Sequence, residues 1–367
     1  MTVPFLDLKK QYLSLKPELD AAWHDVVNES AFIKGKHVEQ FEKTFAAELG
    51  VKHCIGVANG TDAIYIVLRM LGIGTGDEVI TVANTWISTA ETIVQTGATP
   101  VFVDIEKDFY CIDTNRIKEK ITPKTKAIIA VHLYGQAAEL VALQAICAEK
   151  NIFLIEDCAQ SHFTKYNGRN VGTFGIASTF SFYPGKNLGA YGDAGAIATN
   201  DEKLAKKMRM YANHGSLVKH QHEMPGINSR LDGLQAAILS AKLPHLREWN
   251  KKRREHVSTY KKMFSGIKQI ICPEERSNTE HTYHVFVVRA QKRNELKKYL
   301  LEKGIETQIH YPVPLPLVKA FAELGGTEKD FPVSSSYMHE ILSLPLYPEM
   351  ETKEIEYVTN SIKNFYA

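Results

Sequence analysis

The chain has 367 residues, with 44 Lys and Arg against 42 Asp and Glu, a formal charge of +2 and 44% hydrophobic residues. That is the composition of an ordinary globular protein, long enough for one large and one smaller domain. Near-neutral charge leaves no electrostatic footprint for nucleic acid, and no apolar run approaches the ~20 residues of a membrane-spanning helix.

The first ten residues carry no basic-then-apolar signal pattern. Cys54, Cys111, Cys147, Cys158 and Cys272 are scattered and form neither C-x-x-C nor a Cys/His metal spacing, so they read as reduced thiols. The expectation is a cytoplasmic protein without a metal site.

From about residue 50 strand and helix signals alternate. Cys54 to Ala58 is a short strand, followed by a helix with Ile64, Val67, Leu68 and Leu71 at i, i+3, i+4 and i+7. Strand signals recur at 77–82, 100–104, 126–131, 152–156 and 177–182, each short and rich in β-branched residues. Near-continuous apolar strands imply a largely parallel sheet covered on both faces. Ligands of such sheets gather beyond the carboxyl ends of the strands. After Asn200 charge-rich helices are predicted at 201–212 and 231–265, then a strand at 284–289, a helix at 293–303 and a last helix at 353–365. A domain boundary near residue 246 divides the chain into 1–245 and 246–367. Lys251-Lys252-Arg253-Arg254, flanked by Glu248 and Glu255, reads as a solvated helix face.

The motif of most chemical interest is Thr179 to Gly195, where a strand breaks at Pro184-Gly185 and presents Lys186 before a glycine-rich turn. An amine held at a strand end can form a Schiff base with a carbonyl cofactor. Four other segments carry compatible chemistry. Gly60 and Thr61 offer free N–H groups and a hydroxyl at a helix start, where phosphate binds readily. Asp157 closes an apolar strand and could hold a pyridine nitrogen protonated, or simply cap a following helix. Trp86 could stack on a planar ring or be a core tryptophan. Asn228 and Ser229 read as caps of the helix beyond them.

Together these segments resemble the DegT/StrS family of pyridoxal phosphate (PLP) sugar aminotransferases. The resemblance runs from Pro4-Phe5-Leu6-Asp7-Leu8 through Phe32-Ile33-Lys34-Gly35, Asn59 to Ala63, His132 to Gln136, Glu156 to Ser161 and Asn228 to Asp232, on to His310 to Pro314 and Leu342 to Leu346. It implies an α/β fold of the fold-type I, aspartate aminotransferase-like class. A mostly parallel seven-stranded sheet would lie between helices, with a smaller C-terminal α+β domain. It also implies roles. Lys186 matches the Schiff-base lysine, Asp157 the partner of the pyridine nitrogen, and Gln160 a neighbour of the ring hydroxyl. Gly60, Thr61 and Ser181 match the phosphate cradle and Trp86 the stacking aromatic. Asn228 matches a residue reaching the phosphate from a second subunit, hence a homodimer with shared sites.

By family habit the donor is L-glutamate, the cofactor cycles between PLP and pyridoxamine phosphate, and the acceptor is a nucleotide-linked keto sugar. The run Pro184 to Gly195 is similar to members acting on thymidine-diphospho (dTDP) 3-keto-6-deoxyhexoses, which implies amination at C3 in amino-sugar biosynthesis. Tyr183, His310 and Tyr311 resemble residues lying near the sugar in that subgroup. Lys219, His220 and His222 could meet the diphosphate or be incidental loop charge. Cys158 and Ala194 depart from the usual small residues without adding bulk. A UDP-linked 3-keto-N-acetylglucosamine-type sugar or a C4 amination are the nearest alternatives. A PLP-dependent dehydratase would carry histidine in place of Lys186. Near-neutral charge and the absence of a helix-turn-helix signal speak against a DNA-binding regulator, and the intact Lys186, Asp157, Gln160 and Ser181 set against an inactive scaffold of the same fold.

Overall fold

A computed structural model describes residues 1–367. Seven strands form the main sheet: β1 (His53–Val57), β2 (Glu78–Val82), β3 (Thr99–Val103), β4 (Thr125–Val131), β5 (Phe153–Asp157), β6 (Ala177–Ser181) and β7 (Gly195–Thr199). Their order across the sheet is β1-β7-β6-β5-β4-β2-β3. The contacts from β3 through β6 are parallel, while β7 runs antiparallel to both its neighbours. Six strands therefore point their carboxyl ends the same way, with β7 alone reversed. The sequence did not signal β7, whose Gly-Ala-Ile-Ala-Thr composition lacks the bulk of a recognisable strand, yet every one of its residues is buried.

The two-residue period of a strand sorts its side chains between two cores. Ile128 and Ala130 of β4 join a cluster on one face, Ala127 and Ile129 the cluster on the other. Helix Gly60–Met70 covers the second face through Ala63, Ile64, Val67 and Leu68. Helix Lys36–Leu49 covers the first through Val38, Phe41, Phe45 and Leu49. This helix and its N-terminal neighbours, Leu8–Ser14 and Lys16–Glu29, lie outside the elements expected from the sequence.

A third core gathers residues from Val257 onward together with Val3. It surrounds the antiparallel sheet β8 (Ile270–Ile271), β9 (Phe286–Ala290) and β10 (Ile341–Leu344). The helix expected over 231–265 is two helices, Gly233–Lys242 and Leu246–Phe264, joined by a tight turn at Leu243–His245. Pro244 lacks the N–H that a continuous α-helix requires there. Arg253 departs from the expected solvated face. Lys251 does lie 3.9 Å from both Glu248 and Glu255, but Arg253 is only 3% exposed. Its Nη1 donates to the carbonyls of Tyr283, His284 and Leu346 at 3.3, 3.2 and 3.0 Å, tying the long helix to both neighbouring segments.

Phe45 is fully buried, with ring centroids of Phe41, Phe163, Phe180 and Phe182 at 5.6, 5.8, 5.0 and 5.4 Å. Phe45→Ala should cost about 3–5 kcal/mol of unfolding free energy, read from the shift in urea midpoint at unchanged slope. A loss below about 1 kcal/mol would contradict this packing.

Candidate active site

A cavity of about 570 Å3 opens at the carboxyl ends of β1, β2, β4, β5 and β6, within the size range of small-molecule and cofactor sites. It brings together Gly60, Thr61, Trp86, Asp157, Gln160, Ser181, Tyr183, Lys186, His310 and Tyr311. Asn228, Lys219 and His220 lie outside it. All three are exposed, the last two on the hairpin formed by Ser216–Val218 and Gln221–His222. Asn228 does not cap the next helix as expected. It pairs with Asn213, and Asp232 stands at the N-cap of Gly233–Lys242. Ser229 also serves elsewhere, its hydroxyl accepting from the N–H of Ala58 at 3.1 Å.

Lys186 follows β6 in a tight turn whose backbone N–H bonds the carbonyl of Tyr183 at 2.8 Å. Burial lowers its amine from the ordinary 10.5 to about 8, and the Asp157 carboxylate pulls it part of the way back up. Asp157 is the last residue of β5, and no helix follows for it to cap. Its Oδ2 accepts from the Thr89 hydroxyl at 2.9 Å and its Oδ1 from the N–H of Ala159 at 3.1 Å. The neighbouring carboxylate, Glu156, faces the opposite way into the core. It accepts from the N–H groups of Gly172, Phe174 and Gly175 at 2.6, 2.7 and 2.7 Å and lies 3.1 Å from His132 Nε2.

His132, Glu156 and Cys158 stand close enough together to suggest a metal cluster, but their chemistry is already committed. His132 Nδ1 accepts from the N–H of Ala138 at 3.1 Å. Its Nε2 therefore carries the proton, donates to Glu156, and has no lone pair to offer a cation.

Gln160 is fixed at both ends: Oε1 accepts from the N–H of Tyr134 at 2.8 Å, and Nε2 donates to the hydroxyl of Tyr311 at 2.9 Å. Trp86 is 58% exposed with its ring 5.7 Å from that of Tyr311, so it is a wall of the cavity and not a core residue. Burial, then Lys186, lowers His310 to about 4, and its Nδ1 lies 2.8 Å from Ser343 Oγ.

The residues fit PLP. Asn59 caps helix Gly60–Met70, its Oδ1 accepting from the N–H of Asp62 at 2.8 Å. The first turn of that helix stands beside Ser181, and Thr61 Oγ1 is 2.7 Å from Ser88 Oγ. A Cβ on Gly60 would lie 2.8 Å from that of Ser181, and one on Gly195 would lie 2.4 Å from the Asn59 carbonyl carbon. Glycine at both positions lets the backbone close into an anion cradle. Sequence reading missed Thr89, Tyr134, His284 and Arg253. Each comes from a separate element; Tyr134 falls within the His132 to Gln136 motif, but no local pattern gives any of the four a role here.

Residues 14–363 match the DegT/DnrJ/EryC1/StrS aminotransferase family. A Geobacillus stearothermophilus protein described as a pleiotropic regulatory protein is 46% identical, the match covering 100% of this chain and 99% of that one. The dTDP-3-amino-3,6-dideoxy-α-D-galactopyranose transaminase of Aneurinibacillus thermoaerophilus is 44% identical, with 99% of each chain covered. Among solved structures, S. venezuelae DesV in complex with a ketimine intermediate gives a TM-score of 0.97 at 40% identity, covering 99% of this chain and 98% of that one. Bacillus subtilis NtdA with bound cofactor PMP gives 0.91 at 32% identity, covering 99% and 85%. Matched over nearly its whole length, with a cavity built to hold the cofactor, this chain belongs to the DegT/DnrJ/EryC1/StrS aminotransferase family and is a PLP-dependent aminotransferase.

Proposed function

We propose that the enzyme transfers the amino group of L-glutamate to C3 of a dTDP-linked 3-keto-6-deoxyhexose. The observation that carries this reading is the convergence of Lys186, Asp157, Gln160 and Ser181 in one cavity. The run Pro184 to Gly195 and the activity named for the 44% identical relative support the C3 regiochemistry.

Lys186 would anchor the cofactor, Asp157 would face its ring nitrogen, and Gln160 its ring hydroxyl. Gly60, Thr61 and Ser181 would hold its phosphate and Trp86 would cover its ring. PLP supplies a carbonyl that captures amines and a protonated ring that accepts the electron pair left at the donor carbon. Lys186, once released, takes the proton from the donor Cα, and an amine with a pKa of about 8 is suited to do so near neutral pH. Asp157, held by Thr89 and Ala159, supplies the fixed negative charge. Glutamate and sugar use the same cavity in turn, so 2-oxoglutarate leaves before the sugar enters. Tyr183, His310 and Tyr311 line the sugar side. Asn228, Lys219 and His220, outside this chain's own cavity, would complete the site of a second copy in a homodimer. The regulatory name borne by the 46% identical relative suggests a non-enzymatic reading, but that role needs no half-buried lysine sharing a cavity with a carboxylate.

Purified protein incubated with PLP should gain a visible absorption band that changes on adding L-glutamate. With a dTDP-3-keto-6-deoxyhexose, NMR of the product should place the new amine at C3; amination of 4-keto sugars alone would overturn the regiochemistry. Lys186→Ala should lower turnover by about 10⁴-fold. Mixing subunits carrying Lys186→Ala with subunits carrying Asn228→Ala should restore activity that neither has alone, since one site of each mixed dimer is intact. Failure to complement would remove the shared-site reading.

The reaction of cofactor-free protein with PLP should accelerate as pH rises, half-maximal near the Lys186 value of about 8. The Asp157 charge favours the ammonium form, so Asp157→Asn should move that midpoint to lower pH. A midpoint near the ordinary lysine value in both proteins would contradict the burial of Lys186.

A further inference from the structure

His284 lines the cavity with Lys186, and the reading of the motifs gave it no role. Its environment determines where its proton sits. Asn187, next to Lys186 and buried, donates through Nδ2 to the carbonyl of Thr282 at 3.0 Å and to Asn250 Oδ1 at 2.9 Å. A carbonyl cannot donate, so the Asn187 amide has a single orientation, and its Oδ1 is an acceptor only. Asn250 is fixed the same way, its Nδ2 donating to the carbonyl of His162 at 3.0 Å. His284 Nδ1 lies 3.1 Å from Asn187 Oδ1, and must therefore carry the ring proton. Burial, followed by the nearby charges of Lys186 and Arg253 and the rings of His310 and His162, keeps the imidazole neutral. The backbone of His284 is also engaged, its N–H with Tyr134 and its carbonyl with Arg253. What remains is Nε2, a bare lone pair with no partner in the chain, on a residue that lines the cavity.

We propose that His284, locked by Asn187 in the tautomer with Nδ1–H, presents Nε2 as a hydrogen-bond acceptor for a sugar hydroxyl beside the carbonyl to be aminated. The chemistry of the two substrates selects the sugar. The carboxylates of glutamate would meet a lone pair with repulsion, and its one donor group, the α-ammonium, is the nitrogen taken up by the cofactor carbonyl. A keto hexose offers hydroxyl donors next to its reacting carbon. His284 thus serves acceptor recognition while Lys186 and Asp157 serve both halves of the reaction. This assignment rests on the nucleotide-sugar reading above.

Two variants separate a recognition role from a merely structural one. His284→Asn keeps a donor toward Asn187 and removes the group at the Nε2 position. His284→Gln restores an amide at that position and loses the Nδ1 donor. With the 3-keto-6-deoxyhexose, His284→Asn should lose about 10- to 100-fold in kcat/KM, and His284→Gln should recover most of it. The half-reaction with L-glutamate, followed by single-turnover spectroscopy, should proceed at the wild-type rate in both. The penalty of His284→Asn should disappear with one of two analogues that each lack one hydroxyl beside the carbonyl. Equal slowing of both half-reactions would make His284 a partner of Lys186 and overturn the assignment, as would a penalty unchanged with both analogues. His284→Gln weaker than His284→Asn would show a purely structural role. Wild-type protein that aminates no keto sugar would remove the underlying reading and this assignment with it, a failure visible before any variant is made.

Discussion

Glu156 and Asp157 are consecutive carboxylates at the end of one strand, and the pleat of that strand sends them to opposite sides. Glu156 goes into the protein, where three backbone N–H groups and His132 surround it. Those bonds hold the turn from Gly172 to Gly175 against the strand and fix where β5 ends. Asp157 goes to the cavity, where Thr89 and Ala159 set its direction. The position of the carboxylate that lines the cavity therefore depends on a buried carboxylate that faces away from it. A buried charge of this kind is tolerable only because its acceptor sites are filled by charge-assisted bonds.

The same separation of holding from acting recurs around Lys186. Its amine is displaced toward neutrality by its surroundings, and its neighbour Asn187 does the anchoring. Asn187, Asn250, Thr282 and His162 form a chain of buried amide and carbonyl contacts, flanked in sequence by residues of the largest core and of the third. Arg253 adds a second tie, from the long helix to the segments before β9 and after β10. Gln160 is clamped between Tyr134 and Tyr311. Asp157, Gln160 and Thr61 are thus each oriented by a partner from a different part of the chain, so these polar atoms are not free to choose a direction. Preorganisation of this kind is how an active site holds charge without reorganising during reaction.

Strand positions were legible in the sequence because β-branched runs of the right length alternate with helical periodicity, and most boundaries fell within a residue or two. Lys186, Asp157, Gly60 and Trp86 were legible as candidates because each stands just past a strand end or at a helix start, where a parallel sheet gathers its ligands, whereas Ser181 entered only through the family resemblance. Elements without that signature were not. β7 is built of small residues, and the helix Lys36–Leu49 precedes any strand that would have framed it. Arg253 stood in a basic run that reads as surface, because sequence cannot show that one of four consecutive cations faces three carbonyls.

What the sequence determined by itself was the kind of chemistry: an amine, a carboxylate, an anion cradle and an aromatic, spaced so that an α/β sheet would carry them to one edge. Family likeness then attached a cofactor and a class of substrate to that set. Only the tertiary structure decided how those groups are held and which others join them. The protonation of His284 depends on the direction of an amide in Asn187, which depends in turn on a carbonyl 95 residues away along the chain. Long-range contacts of that sort leave no periodic or local trace, since each residue in them is unremarkable until the fold brings its partner within hydrogen-bond distance.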